Sequence, residues 1–191
     1  MRTWGPGIVF FAASALAGSV RAQGDPCAHS TAPTTWELRT QSPLLAGTDG
    51  SATVVELRED GCVRVHLPAF RRDAGTRSHR LDPAARDSTM RRLDASGVAG
   101  VEPSLLRAQL DASRQMKSAI GEHAETRVSD EDIVELRITD PVSGNTQSIV
   151  WSSLQEDLAN HPDQPSLRAL DEAVRVMRAL GADASGGDDA R

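Results

Sequence analysis

From Ala52 to Leu67 apolar and polar residues alternate. Thr53, Val55 and Leu57 are interleaved with Glu56 and Arg58, and Val63, Val65 and Leu67 with Arg64 and His66. A period of two is that of half-buried strands, so this segment is predicted to form a β-hairpin. The turn decides its register. A two-residue Asp60-Gly61 loop would set Leu57 on the face of Arg64, and Val55 with His66. A three-residue loop, Glu59-Asp60-Gly61 with Gly61 in the left-handed region, puts Val55, Leu57, Val63, Val65 and Leu67 together. Only the second makes one face apolar. It sets Glu56 opposite Arg64, His66 opposite Val54, and Cys62 outward, opposite Arg58.

A second hairpin is predicted from Ile133 to Trp151. Val134, Leu136 and Ile138 alternate with Glu135 and Arg137, residues 140–145 form the turn, and Ile149 and Trp151 lie on the return strand. Val55-Glu56-Leu57-Arg58 recurs as Val134-Glu135-Leu136-Arg137, and each hairpin is followed by a helix that begins about 30 residues after the hairpin's own start. This is the pattern of a duplicated ββα unit, and also of two strands obeying the same alternation.

Helical spacing takes over elsewhere. Asp82-Pro83 opens one helix, with Asp as N-cap and Pro at the first position, and Gly97 stops it. Glu102-Pro103-Ser104 opens a second, carrying Leu105, Leu106 and Leu110 and ending between Ser113 and Gly121. Pro165 opens a third, whose stripe of Leu167, Leu170, Val174, Met177 and Leu180 is stopped by Gly181. Ser153-Leu154-Gln155-Glu156 has the form of a capping box for a shorter helix. The expected fold class is α+β: two antiparallel hairpins in one sheet with helices packed on one face.

The N-terminus has a different pattern. Met1-Arg2 precedes an apolar stretch, Gly7 to Val20, and then Val20-Arg21-Ala22, the order of a secretory signal cleaved between Ala22 and Gln23. The stretch is too short to span a bilayer, which takes about 20 apolar residues. Gly24-Asp25-Pro26 before Cys27 does not suit lipid attachment. The expected organisation is a signal peptide over 1–22, an N-terminal arm over 23–51, one domain over 52–181 and a disordered tail over 182–191. The expected location is periplasmic or extracellular, with no membrane span after cleavage.

That location gives the cysteines a role. Cys27 and Cys62 are the only two, and in an oxidising compartment an even pair implies one disulfide. A redox-active pair needs closer spacing. With Cys62 outward, the bridge requires the arm to cross the outer face of the first hairpin.

Charge narrows the function classes. Loss of Arg2 and Arg21 with the signal, and of no acid, takes the net charge from −6 to −8. An acidic chain does not suit general nucleic-acid binding. Residues 71–92 nevertheless hold seven arginines against three acids, a balance of +4, whereas 122–191 hold six against fifteen, a balance of −9. Internal complementarity is one explanation. The other is an exposed interaction surface at Phe70, Arg71, Arg72, Arg77 and Arg80 in the loop after the first hairpin, since Arg and aromatics are enriched where proteins bind one another.

No catalytic, cofactor-binding or metal motif is found. His123-Ala124-Glu125 lacks the downstream Pro-Cys-x-x-Cys that zinc deaminase chemistry needs. His29, His66, His79, His123 and His161 are not at metal-ligand spacing. Asp130-Glu131-Asp132 lacks the further oxygen ligands and Gly of a calcium loop, and is expected to be a solvated lead-in to the second hairpin. The sequence therefore favours a non-catalytic, macromolecule-binding protein whose partner is a protein or an anionic envelope component. A hydrolase without a recognisable motif is the alternative, because a serine triad assembles in space without fixed local spacing.

Overall fold

The computed structural model describes residues 25–46, 48, 50–119 and 131–185. The signal segment, His123-Ala124-Glu125, Asp130 and residues 186–191 lie outside them. The fold is α+β. Six strands, β1 (Thr34–Gln41), β2 (Thr53–Arg58), β3 (Cys62–Leu67), β4 (Gly75–Arg80), β5 (Ile133–Thr139) and β6 (Thr146–Ser152), form one antiparallel sheet in the order β4-β3-β2-β1-β5-β6. The helices are α1 (Pro83–Ala95), α2 (Pro103–Ala119), α3 (Leu154–Asn160) and α4 (Pro165–Ser185).

The β2–β3 register is the one the apolar face demanded. Val55 faces Val65, Glu56 faces Arg64, Leu57 faces Val63 and Val54 faces His66. Gly61 closes the turn at φ 80°, the left-handed conformation that glycine adopts without a steric penalty. The β5–β6 pairing likewise sets Val134 opposite Trp151 and Leu136 opposite Ile149.

Two strands were not anticipated. Thr34–Gln41 falls in the segment assigned to the arm, yet it forms β1 at the centre of the sheet, between β2 and β5. Trp36 lies opposite both Leu57 and Ile138, and Leu38 opposite both Val55 and Leu136, so β1 is what joins the two hairpins. It offers only two large apolar residues among threonines and charges, which left its alternation weak. Gly75–Arg80 has no apolar residue, yet pairs along β3 as the edge strand β4. Arg77 and Arg80, expected in a loop, therefore sit on a strand.

One apolar face of this sheet is covered by α4. Leu167, Leu170, Val174 and Met177 are fully buried against a core that includes Leu38, Leu57, Val63, Leu136 and Ile149. Burial of each such side chain stabilises the fold by about 1.5–3 kcal/mol. Helices α1 and α3 pack on α4. Helix α2 and the residues before it reach edge strand β6 through side chains: Arg107 Nη2 donates to Val150 O at 2.7 Å, and Gln147 Nε2 donates to Val101 O at 2.8 Å. Such a cover blunts an edge that would otherwise invite pairing.

Helix α1 starts on its expected cap. Asp82 Oδ1 accepts from the Ala85 N–H at 2.8 Å with Pro83 at the first position. The end of α4 differs from expectation. The helix runs through Gly181 to Ser185, so residues 182–185 are helical and do not belong to a disordered tail.

On the outer face the arm crosses β2, β3 and β4, where the Cys27–Cys62 disulfide fixes it with both cysteines fully buried. Arginines from all three strands hold its carbonyls as well: Arg58 Nη1 reaches Ser30 O at 2.8 Å, Arg64 Nη2 reaches Cys27 O at 3.1 Å and Arg80 Nε reaches Pro26 O at 3.4 Å. The Ser78 hydroxyl donates to Asp25, and this bond with the Cys27 N–H holds the Asp25 carboxyl below its usual range. Among the described residues, no helix is long and apolar enough to cross a membrane.

Candidate functional site

The five residues of the expected interaction surface do not form one patch. Phe70, Arg71 and Arg72 lie together on the connection from β3 to β4, with Phe70 64% exposed. Arg71 grips Asp73 through two hydrogen bonds of 3.0 and 3.3 Å, which hold the Asp73 carboxyl below its usual range. Arg72 is exposed and has no acid partner among the described residues. Arg77 lies opposite Val65 and thus on the helix-bearing side of β4. Arg80 lies opposite Cys62 on the other side, donating to the Asp60 carboxylate at 3.0 Å and to Pro26 O at 3.4 Å. Its role is to tie the hairpin turn to the arm.

Four of the seven arginines in the basic stretch have acid partners in the described ion pairs, three of them nearby. Arg71, Arg80 and Arg86 pair with Asp73, Asp60 and Asp87, and Arg92 of α1 reaches Glu172 of α4 at 3.0 Å. Complementarity with the acidic C-terminal third thus rests on the Arg92 pair in the described contacts.

A second site was not found from the sequence. A cleft of about 640 Å³ opens between α2, the end of β6 and α3. Arg107, Leu110, Asp111 and Arg114 line it, spaced i, i+3, i+4 and i+7 so that one face of α2 presents them all. That spacing is visible in the sequence, but nothing local tells which element the face meets.

The wall opposite is built around Trp151. Its indole Nε1 donates to Asp157 Oδ2 at 2.9 Å, and Arg114 Nη2 donates to Asp157 Oδ1 at 2.6 Å. Asp157 is only 6% exposed, so both bonds answer a charge that would be costly to bury alone. Arg114 also reaches Asp111 at 3.0 Å. The Arg107 guanidinium stands over the Trp151 ring, 5.4 Å from its centroid, a cation–π arrangement.

Between Trp151 and α3 the backbone turns sharply. Ser153 occupies the N-cap position with φ 59° and ψ 42°, the described non-glycine residue at positive φ, and its hydroxyl makes no capping bond. The capping box is therefore not formed. Glu131 replaces it: its Oε2 accepts from the Gln155 N–H at 3.2 Å and its Oε1 from the Glu156 N–H at 3.0 Å. The acidic lead-in to β5 thus caps α3, a long-range contact that sequence spacing does not reveal. Left-handed backbone at a side-chain-bearing residue is costly, and such strain concentrates at functional sites.

This arrangement can bind and orient a small polar molecule: a stacked guanidinium, an indole and a cluster of carboxylates converge on one cleft. Among the described residues, no three His, Cys, Asp or Glu side chains are grouped to hold a metal ion. No protein-family model matches the chain, and no curated protein matches it.

Proposed function

We propose that this protein is a non-catalytic interaction module of the periplasm or extracellular space. Its docking element is the connection carrying Phe70 and Arg72, with the neighbouring edge strand β4. The observation that carries this proposal is an exposed Phe70 beside an Arg72 without an acid partner among the described residues. An aromatic and a guanidinium side by side are the residue types that dominate binding energy at protein interfaces. Strand β4 adds an outer edge that no described strand pairs, suited to an extended acidic segment of a partner protein. An anionic envelope component would use the same arginines.

The test is affinity capture with the disulfide-bonded protein, comparing wild type with Arg71→Glu/Arg72→Glu. Partners retained by the first and lost by the second support the proposal. Equal capture by both sinks it.

Two further elements belong to this proposal. Secretion rests on the signal-like residues 1–22 and is tested by sequencing the N-terminus of the exported protein. A duplicated ββα unit is suggested by Val-Glu-Leu-Arg in β2 and β5, yet β1 carries Trp36-Glu37-Leu38-Arg39 outside either hairpin, which favours shared alternation.

A hydrolase is the second reading, favoured by the cleft that places Ser152 and Ser153 with Glu156 and Asp157. Covalent labelling of either serine by a fluorophosphonate would support it.

A further inference from the structure

We infer that the cleft between α2, β6 and α3 binds a small zwitterion, a free α-amino acid or a dipeptide, by its carboxylate and its ammonium group. This inference is independent of the surface around Phe70.

The carboxylate end follows from Arg107. Two arginines and four acids line the cleft. Arg114 is engaged with Asp111 and Asp157. Arg107 has no acid partner among the described residues; it is fixed instead by the Trp151 face and by one hydrogen bond to Val150 O. A guanidinium has five N–H donors in a planar fork. Held in place with donors to spare, it is suited to grip a carboxylate bidentately.

The ammonium end follows from Glu156. Glu131 has both of its oxygens on backbone N–H groups. Glu156 also lines the cleft, and its buried Oε2 accepts no hydrogen bond. An ammonium group supplies the missing donors, and its charge opposes the excess of acids over arginines around the cleft.

Simpler ligands fit less well. A bare anion such as inorganic phosphate would meet four carboxylates for two guanidinium groups, one of them already engaged. A lone organic cation would satisfy Glu156 but leave the spare donors of Arg107 unused. A molecule with both charges uses Arg107 and Glu156 together. The volume of about 640 Å³ lies in the range of small-molecule sites and admits a dipeptide.

Calorimetric titration of the purified, disulfide-bonded protein tests this. The probes are the twenty free amino acids and a set of dipeptides, followed by the N-acetyl and carboxamide forms of whichever binds best. The expected result is a Kd below about 1 mM for at least one zwitterion, with each blocked form at least about tenfold weaker. Arg107→Gln should weaken the free acid about tenfold and leave its carboxamide unchanged. Glu156→Gln should do the same for the free amine against its N-acetyl form. No zwitterion reaching that affinity, or blocked forms binding as well as free ones, overturns the inference. The blocked ligands apply this test to the unaltered protein, so it does not depend on either variant folding.

Discussion

Gly181 of α4 lies directly over Val55 of β2: a Cβ added to Gly181 would come within 2.9 Å of Val55 Cγ2. Real carbon contacts are not that close, and valine has little freedom about χ1 with which to yield. The glycine lets the helix backbone approach the sheet where a side chain would hold it off.

Gly181→Ala is therefore expected to destabilise the protein by about 1–3 kcal/mol, as overpacking does. Intrinsic helix propensity alone predicts a gain of about 1 kcal/mol from the same change. The two effects have opposite sign, and the denaturant midpoint decides between them. Equal or higher stability in the variant would show that α4 shifts freely over Val55.

The same glycine shows where sequence and structure part. A Gly after an apolar stripe reads as a helix stop because isolated helices end that way. Here close packing against Val55 outweighed that tendency, and only the partner strand could reveal it. The stripe from Leu167 to Leu180 and the β2–β3 register were legible because one apolar face admits one solution. Strand β4 was not legible, since pairing with β3 specifies it without any apolar residue of its own. Strand β1 could have been found by noticing that Trp36-Glu37-Leu38-Arg39 shares the Glu-Leu-Arg of β2 and β5. At the cleft, Arg107 to Arg114 were legible as one helix face, whereas the Glu131 cap joins residues 24 and 25 positions apart.

Glu131 and Ser153 should respond oppositely to substitution. Glu131→Ala removes the acceptor for two N–H groups at the start of α3 and should lower stability by about 1 kcal/mol, the usual cost of a lost cap. Ser153→Gly relieves left-handed backbone and should raise stability by about 0.5–1 kcal/mol. Thermal unfolding of the two single variants distinguishes them. A loss on Ser153→Gly like that on Glu131→Ala would show that the serine side chain supports the turn.

Removing the disulfide should release the arm as well as weaken the fold. Cys27 and Cys62 close a loop with a sequence separation of 35. Chain-entropy estimates put such a crosslink at about 3–4 kcal/mol. Cys27→Ser/Cys62→Ser should show that loss in urea unfolding. Hydrogen exchange should accelerate at position 27 and at Ser30 before the rest of β2 and β3 opens, because only non-covalent contacts then hold the arm, among them the arginine contacts, the Asp25–Ser78 bond and the Glu59 N–H to Pro33 O bond. Unchanged protection there would mean that those contacts suffice.

His79 should make the fold sensitive to mild acid. It lies on β4 opposite Val63, on the helix-bearing side, and both ring nitrogens are buried without a hydrogen-bond partner. Burial lowers its pKa below the ordinary 6.5, an effect that the Asp183 carboxylate of α4 offsets only in part. Arg77 shares its face of β4. A base whose folded-state pKa is depressed binds fewer protons folded than unfolded. Its stability contribution is thus complete above the unfolded pKa, and is lost as pH falls through about 6.5 towards the folded value. Denaturant unfolding from about pH 7 to about pH 5 should show a steeper loss in wild type than in His79→Gln, which cannot take up the proton. Parallel profiles would place the acid sensitivity elsewhere. A shallower loss in wild type than in His79→Gln would mean that Asp183 outweighs burial and holds the charged imidazole.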